Sequence, residues 1–416
     1  MEEAEREKIW IKYIKSLFSD ERKDILETKN EMTGPAILKS EIERVISLSK
    51  NRKACGPDEI PAELVKLIDS KNINIIVTLF NQIYDTGRIP EDWLNSTFIP
   101  IPKKPKPQTC NDFRLISLTS QLLKMFLKII HNRIYQKCEE NIGTTQFGFR
   151  NGLGTREALF SLKVLCQKCT EMQTNLYLCF IDFEKAFDKV QHNKLIEVLT
   201  KIGIDKKDIR IVKNLYWNQQ ASILTGFQKS ENIKIERGVR QGCVLSPLLF
   251  NIYSEEIFSQ ALEDRDEGVI INGQNLNNLR YADDTILITN NPQDLQTLLD
   301  LVDKECNKMG LNINTAKTKI MSFGLETDPA FEFKLKRKNL ERVQKFKYLG
   351  SWINNNGDDE MEIRARIEMA RQSFIKLRTL LCSRDLDCGL RLRMMKCYVW
   401  SNLLYGVETW TLKKND

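Results

Sequence analysis

Hydrophobic positions recur at helical spacing near the start of the chain. In "IWIKYIKSLF" (9–18), Trp10, Tyr13 and Leu17 share one face with Ile14 and Phe18 beside them, which predicts an amphipathic helix. Ser40 and Glu43 in "SEIE" read as a capping box opening a second helix. The loop "KNRKACGPDEIP" then breaks the pattern, and Pro61 suits the first turn of "PAELVKLI". "TFIPIPKK" (97–104) predicts a short strand running into a basic loop, and "NDFRLISLTS" a second extended stretch before the helical "QLLKMFLKIIHNRI". "NLYLCFIDF" (175–183) is an apolar strand whose first polar residue is Asp182. Between Gly268 and Thr289, Asn272-Gly273 signals a hairpin, and a second apolar strand pair turns at Asp283 and Asp284. Near the end, Ile363, Ile367, Ala370, Phe374, Leu377 and Leu381 alternate at spacings of four and three, predicting a long amphipathic helix. Its outer side carries Arg364, Arg366 and Arg371, either as a solvated face or as contacts to a phosphate backbone. Antiparallel hairpins mixed with helices, without a regular βαβ rhythm, give an α+β class.

Composition narrows the class without naming a chemistry. The chain has 416 residues, 42% of them hydrophobic, enough for two or three packed units. A net charge of +7 makes polyanions plausible partners, although only local clustering would mark a nucleic-acid face. The opening "MEEAEREKIW" lacks the pattern of a signal peptide, and no apolar run approaches the roughly 20 residues of a membrane span, so an intracellular protein that does not use a membrane is expected. The 11 cysteines follow no framework of spacings, which suits a reducing compartment. Cys166 and Cys169 in "CQKC" have metal-ligand spacing, but no second pair follows, and a helical interior is the expected setting.

The chemistry comes from three acids. Asp182 ends one apolar strand, and Asp283 and Asp284 stand at the tip of an apolar strand pair. Three carboxylates delivered by strand ends suit two divalent cations, because hard oxygen ligands hold Mg²⁺ and leave positions for water and phosphate. Such apparatus serves nucleotidyl transfer. A turn-forming Asp-Asp is the bland alternative for Asp283 and Asp284 taken alone. Asp188 lies beyond "FEKAF" and is expected to be structural, and Glu184 to face solvent.

The strings "YADD" and "FIDFEKAFD" resemble reverse transcriptases of the non-LTR (LINE-type) retrotransposon branch, RTE- or jockey-like. The resemblance runs along nearly the whole chain, with its motifs in order. It implies a right-hand polymerase with fingers, an antiparallel-sheet palm and a short helical thumb. It implies two Mg²⁺ or Mn²⁺ ions at Asp182, Asp283 and Asp284, with an RNA template, a DNA primer, their hybrid and dNTPs as partners. It places Phe187 as a steric gate beneath the incoming sugar, and Gln241 and Gly242 of "GVRQGCVLSP" at the template base and nucleotide, with Arg240 beside them. It assigns Lys103, Lys104 and Arg114 to the triphosphate, Lys317 of "GLNINTAKTK" to phosphate or proton transfer, Arg150 to the template, and Tyr348, Leu349 and Gly350 to the primer terminus.

This chain departs from the family pattern at Leu115, where proline is usual, and at Cys55 and Glu59 in a finger loop. The expected organisation is residues 1–35 as a helical lead-in left from the connection to an absent endonuclease, 36–353 as fingers and palm, and 354–416 as a truncated thumb. The expected location is intracellular, in the nucleus, the cytoplasm or both. Two competing readings stay open: a degenerate or co-opted copy that binds nucleic acid without polymerising, and an RNA-dependent RNA polymerase. Primer extension decides the first, and a dNTP-against-NTP comparison the second.

Overall fold

In the computed structural model, residues 3–22, 34–226, 228–324 and 331–411 are described. Contacts divide the chain into two units that interleave along the sequence. One comprises Met1–Gly143, Glu184–Gln260 and Lys304–Asn312, and the other Thr144–Phe183, Ala261–Asp303 and Ile313–Asp416. This division cuts across the contiguous segments expected above, and part of the 1–35 lead-in lies outside the described residues.

The first unit is built on a sheet whose strand Asn95–Pro102 pairs antiparallel with Phe113–Leu118 and parallel with Gln220–Thr225. One face is covered by the opening helix, Glu3–Phe18. The periodicity read from the sequence is what buries it: Trp10, Ile14, Leu17 and Phe18 pack on Phe98, Leu115, Ala221 and Ile223. Leu115 thus serves as an inward strand residue, and its neighbour Arg114 faces out, as strand alternation requires. The next helix, Lys39–Leu48, begins ahead of the predicted capping box. Leu38 N–H donates to Glu41 at 2.9 Å, while Glu43 pairs loosely with Lys39 at 3.9 Å. The start is set by Ile42, Val45 and Ile46, which turn one face inward and bring Glu41 to the helix entrance.

The second unit centres on a five-stranded sheet in the order Glu341–Arg342, Lys319–Phe323, Leu176–Ile181, Asp284–Thr289, Asn278–Tyr281. Its last four strands are antiparallel neighbours, as predicted for the acid-bearing sheet. Leu176–Ile181 is buried at every position, which explains an apolar run without alternation. Against one face pack Leu159, Leu162, Cys166 and Cys169 of the helix Thr155–Glu171. The two cysteines are core residues, with burial pushing both thiols up. Asn272 and Gly273 form the expected hairpin turn, with φ of 49° and 79°. The long helix is Glu360–Leu381. Ile363, Ala370 and Leu381 are buried, but Ile367 of the predicted stripe is 52% exposed. Among the described residues no helix is long and apolar enough to cross a membrane.

Candidate active site

The acids are positioned by register. Asp284 opens its strand opposite Tyr281, and the next pair inward on the other side joins Thr285 to Ile181, the residue before Asp182. All three carboxylates therefore emerge at one end of three adjacent strands. Between Tyr281 and Asp284 the chain turns in two residues, with Ala282 at φ 56°, a conformation that costs a non-glycine residue energy. A brace from below compensates. The side-chain oxygen of Gln146, itself fully buried, accepts from Ala282 N–H at 2.9 Å and Gly148 N–H at 2.8 Å. A Cβ on Gly148 would fall 2.5 Å from Ala282 N, so only glycine admits this approach.

Asp182 is held by the loop 313–318. Its carbonyl accepts from Asn314 N–H at 2.8 Å, and the Lys317 ammonium stands 3.3 Å from its Oδ2. That oxygen is buried and receives no hydrogen bond among the described residues. Asp284 is pushed up to about 7, first by the protein crowded around its carboxyl, then by Asp283 and Asp182, against the pull of Lys317. Its side chain remains open to solvent, so the mutual repulsion of the acids outweighs lost hydration there. A site with a buried carboxylate oxygen met by an ammonium but by no hydrogen bond, with mutually repelling acids beside it, suits hard divalent cations. Among the described residues, no three His, Cys, Asp or Glu side chains already surround a common point. The Asp182–Lys317 pair supplies partial neutralisation in their place.

The remaining predicted residues lie mostly in the first unit. Gln241 is fixed twice: its carbonyl accepts from Ser117 N–H at 2.8 Å, and its Nε2 donates to Asp188 Oδ1 at 2.8 Å. Gly242, at φ 102°, lets the loop pass close to Ser117. Asp188 is buried and pushed up to about 6 by that burial, against the opposing bond from Gln241 and the charges of Lys185, Lys103 and Lys189. Its expected structural role becomes specific: it orients Gln241. Phe187 is half-buried and stacks on Phe250, with centroids 4.4 Å apart. Lys103 donates to Asn111 O at 3.1 Å, Lys104 pairs with Asp112 at 2.9 Å, and Arg114 is exposed. Lys185, which the sequence reading passed over, donates to Tyr13 Oη at 2.8 Å and Asn111 Oδ1 at 2.6 Å, tying the opening helix to the segment after Asp182.

Two assignments are corrected. Arg240 is not a nucleic-acid contact: it is 4% exposed and braces the interior through Gln219 Oε1 and Leu94 O, both at 3.0 Å. Ser246, the first residue of the following helix, donates to Arg240 O at 2.7 Å and holds the loop there. Arg366, expected on the outer helix face, is 6% exposed and paired with buried Glu362, whereas Arg364 and Arg371 are exposed. In the second unit, Arg150 is half-buried and donates to Gln146 O at 3.1 Å, and Tyr348 is buried. Leu349 and Gly350 form a tight turn. Gln146, Gly148 and Asn314 escaped the sequence reading, although Asn314 lies inside "GLNINTAKTK" and Gln146 and Gly148 stand within four residues of Arg150.

Comparison with known proteins follows the geometry. The reverse transcriptase (RNA-dependent DNA polymerase) family matches residues 101–353. The RNA-directed DNA polymerase from mobile element jockey of Drosophila funebris is 26% identical over 398 residues, covering 92% of this chain and 43% of that protein. A Pol polyprotein from a type-1 retrotransposable element R2 of Nasonia vitripennis is 26% identical over 337 residues, covering 79% of this chain and 32% of its own length. The chain thus spans less than half the length of these relatives. Among solved structures, apo telomerase from Candida Tropicalis gives a TM-score of 0.48 at 15% identity, covering 82% of this chain and 63% of that one. Because the family match takes in more than half of the chain and includes all three acids, the chain belongs to the reverse transcriptase (RNA-dependent DNA polymerase) family.

Proposed function

We propose that this chain is the polymerase portion of a non-LTR retrotransposon enzyme, adding dNTPs to a DNA primer on an RNA template. The observation that carries the reading is the strand register that sets Asp182, Asp283 and Asp284 at one end of adjacent strands, with the turn braced by Gln146 and Asp182 faced by Lys317. The family generally uses divalent metals. Two Mg²⁺ or Mn²⁺ ions held by these acids would acidify the primer hydroxyl and neutralise charge developing on the phosphate. Lys317 Nζ, beside Asp182 Oδ2, is placed to balance charge there or to give a proton to the departing pyrophosphate.

In the first unit, exposed Arg114 can pair with phosphate oxygens, and Gln241, oriented by Asp188, presents its amide to the nucleotide. Here the first unit contributes the fingers, and the second the palm sheet and the thumb helices of a right-hand polymerase. An intracellular location, nuclear or cytoplasmic, belongs to the same proposal and is supported by eleven free cysteines. The test is primer extension on homopolymer RNA with Mg²⁺ or Mn²⁺, comparing dNTPs with NTPs. Extension with dNTPs is expected, and Phe187→Val should raise kcat/KM for NTPs relative to dNTPs. Hybrid binding without extension would leave the co-opted reading, and a preference for NTPs the RNA polymerase reading.

A further inference from the structure

The strands Lys345–Tyr348 and Ser351–Asn354 are joined by Leu349 and Gly350, at φ 46° and 83°. A two-residue turn leaves its own carbonyls outside the ladder, and at a surface water would take them. Here the C-terminal segment takes both. Tyr405 Oη donates to Leu349 O at 2.6 Å, and Arg366 Nη2 donates to Gly350 O. Arg366 Nε also donates to Glu362 Oε1 at 2.6 Å, and its guanidinium lies 4.5 Å from the Tyr405 ring centre. The other oxygen of Glu362 accepts from Trp352 N–H at 2.8 Å, returning the network to the hairpin. Glu362 and Arg366 are 1% and 6% exposed.

A buried ion pair is a weak source of stability, because desolvation offsets its attraction; its best-attested use is to fix register. What is fixed here is the hairpin against the acid-bearing sheet. Phe346 stacks on Phe180 at 4.2 Å, and Tyr348 lies 6.0 Å from the same ring. Phe180 stands two residues before Asp182 and pairs with Ile286, two after Asp284. The hairpin is thus clamped between the strand that ends in Asp182 and the network of Glu362, Arg366 and Tyr405.

We propose that Tyr405, Arg366 and Glu362 are positioning residues that set the 349–350 turn, and with it the primer 3′ end, relative to the acids. The inference rests on the polymerase reading, in which this turn supports the primer terminus. Tyr405→Phe is the informative variant, since it keeps the ring against Arg366 and removes only the bond to Leu349 O. The full chain is to be assayed for hybrid affinity, single-nucleotide extension from matched and mismatched ends, and fluorescence of 2-aminopurine placed at the primer end or internally.

We expect extension by Tyr405→Phe to fall by about five- to tenfold, the effect of one lost hydrogen bond felt in the transition state, and further on mismatched ends. Hybrid affinity and the KM for dNTP should be unchanged, with 2-aminopurine fluorescence altered only at the primer end. Arg366→Lys should act in the same direction, with circular dichroism and a melting curve confirming that both variants fold. Unchanged extension and terminal fluorescence, or a loss confined to hybrid affinity, would overturn the proposal. If the wild-type chain binds hybrid without extending it, the polymerase reading fails, and the fluorescence arm still decides whether Tyr405 sets the terminus.

Discussion

In the second unit the acids stand at the ends of adjacent strands, and the strain of their turn is met by Gln146 and Gly148. In the first unit Gln241 sits on an irregular segment whose geometry comes from buried polar groups: Asp188 under its amide, Arg240 inside, and Gly238 crossing Asp188 so closely that a Cβ would lie 2.8 Å from Asp188 O. Regular pairing fixes the first arrangement, since one slip in register would turn every side chain to the other face. Desolvated hydrogen bonds fix the second, and they carry their own pH dependence. Strand register thus dominates the placing of the acids, and buried side-chain hydrogen bonds the placing of Gln241.

The sharpest way to break this contrast is at the acids. Asp283→Asn should reduce extension by about three orders of magnitude while leaving the fold and hybrid binding nearly intact. Extension at the wild-type rate would remove the two-metal assignment. Asp188→Asn, by contrast, should be stabilising at neutral pH, because asparagine can still accept from Gln241 without carrying a buried charge.

The sign follows from the raised acid. Asp188 binds its proton more tightly folded, at about 6, than unfolded, near 3.8, so its contribution is complete below pH 4 and is lost as pH rises to about 6. Urea denaturation should therefore show the variant roughly 2–3 kcal/mol more stable at pH 7.5 and level with wild type near pH 4. Asp208, also raised to about 6 by burial, leaves a residual slope of the same sign in both proteins. A variant less stable at pH 7.5 would mean that the Asp188 charge is needed by Lys185, Lys103 and Lys189 more than its burial costs.

Gly148→Ala tests the brace. Its Cβ would meet backbone at 2.5 Å, so the turn must shift, at a cost of roughly 1–3 kcal/mol in stability, with extension reduced as well. A melting temperature and a rate both equal to wild type would show the turn to be self-supporting. The smallest effect is expected at the long helix. Replacing Arg364 and Arg371 with glutamine should lower the slope of log K against log salt for hybrid binding by roughly 0.7–0.9 per residue if each meets a phosphate. Arg366→Gln should change the slope little, since its guanidinium is committed to Glu362 and Gly350. An unaltered slope in the double variant would assign the exposed arginines to a solvated face.

The α+β class, the antiparallel acid-bearing sheet, the Asn272-Gly273 hairpin and the opening helix were all legible in the chain, because period and turn chemistry act over a few residues. So was the pairing of Asp182 with the Asp283-Asp284 turn, once "YADD" and "FIDFEKAFD" were taken together. The fates of Arg240, Arg366 and Ile367 were not legible, and of Asp188 only a structural role was, without the Gln241 that it orients. An arginine at a polar helical position looks the same whether it meets solvent or a glutamate four residues back beneath a hairpin carbonyl. Burial of a charge is decided by what packs over it, and the partners here, Tyr405 with Gly350 and Gln219 with Leu94, are far apart in sequence. The sequence by itself determined the acid-bearing strands and the acids at their ends. The tertiary structure decided which charged side chains are spent on holding loops still and which remain for a ligand, because desolvation and long-range hydrogen bonding have no local signature.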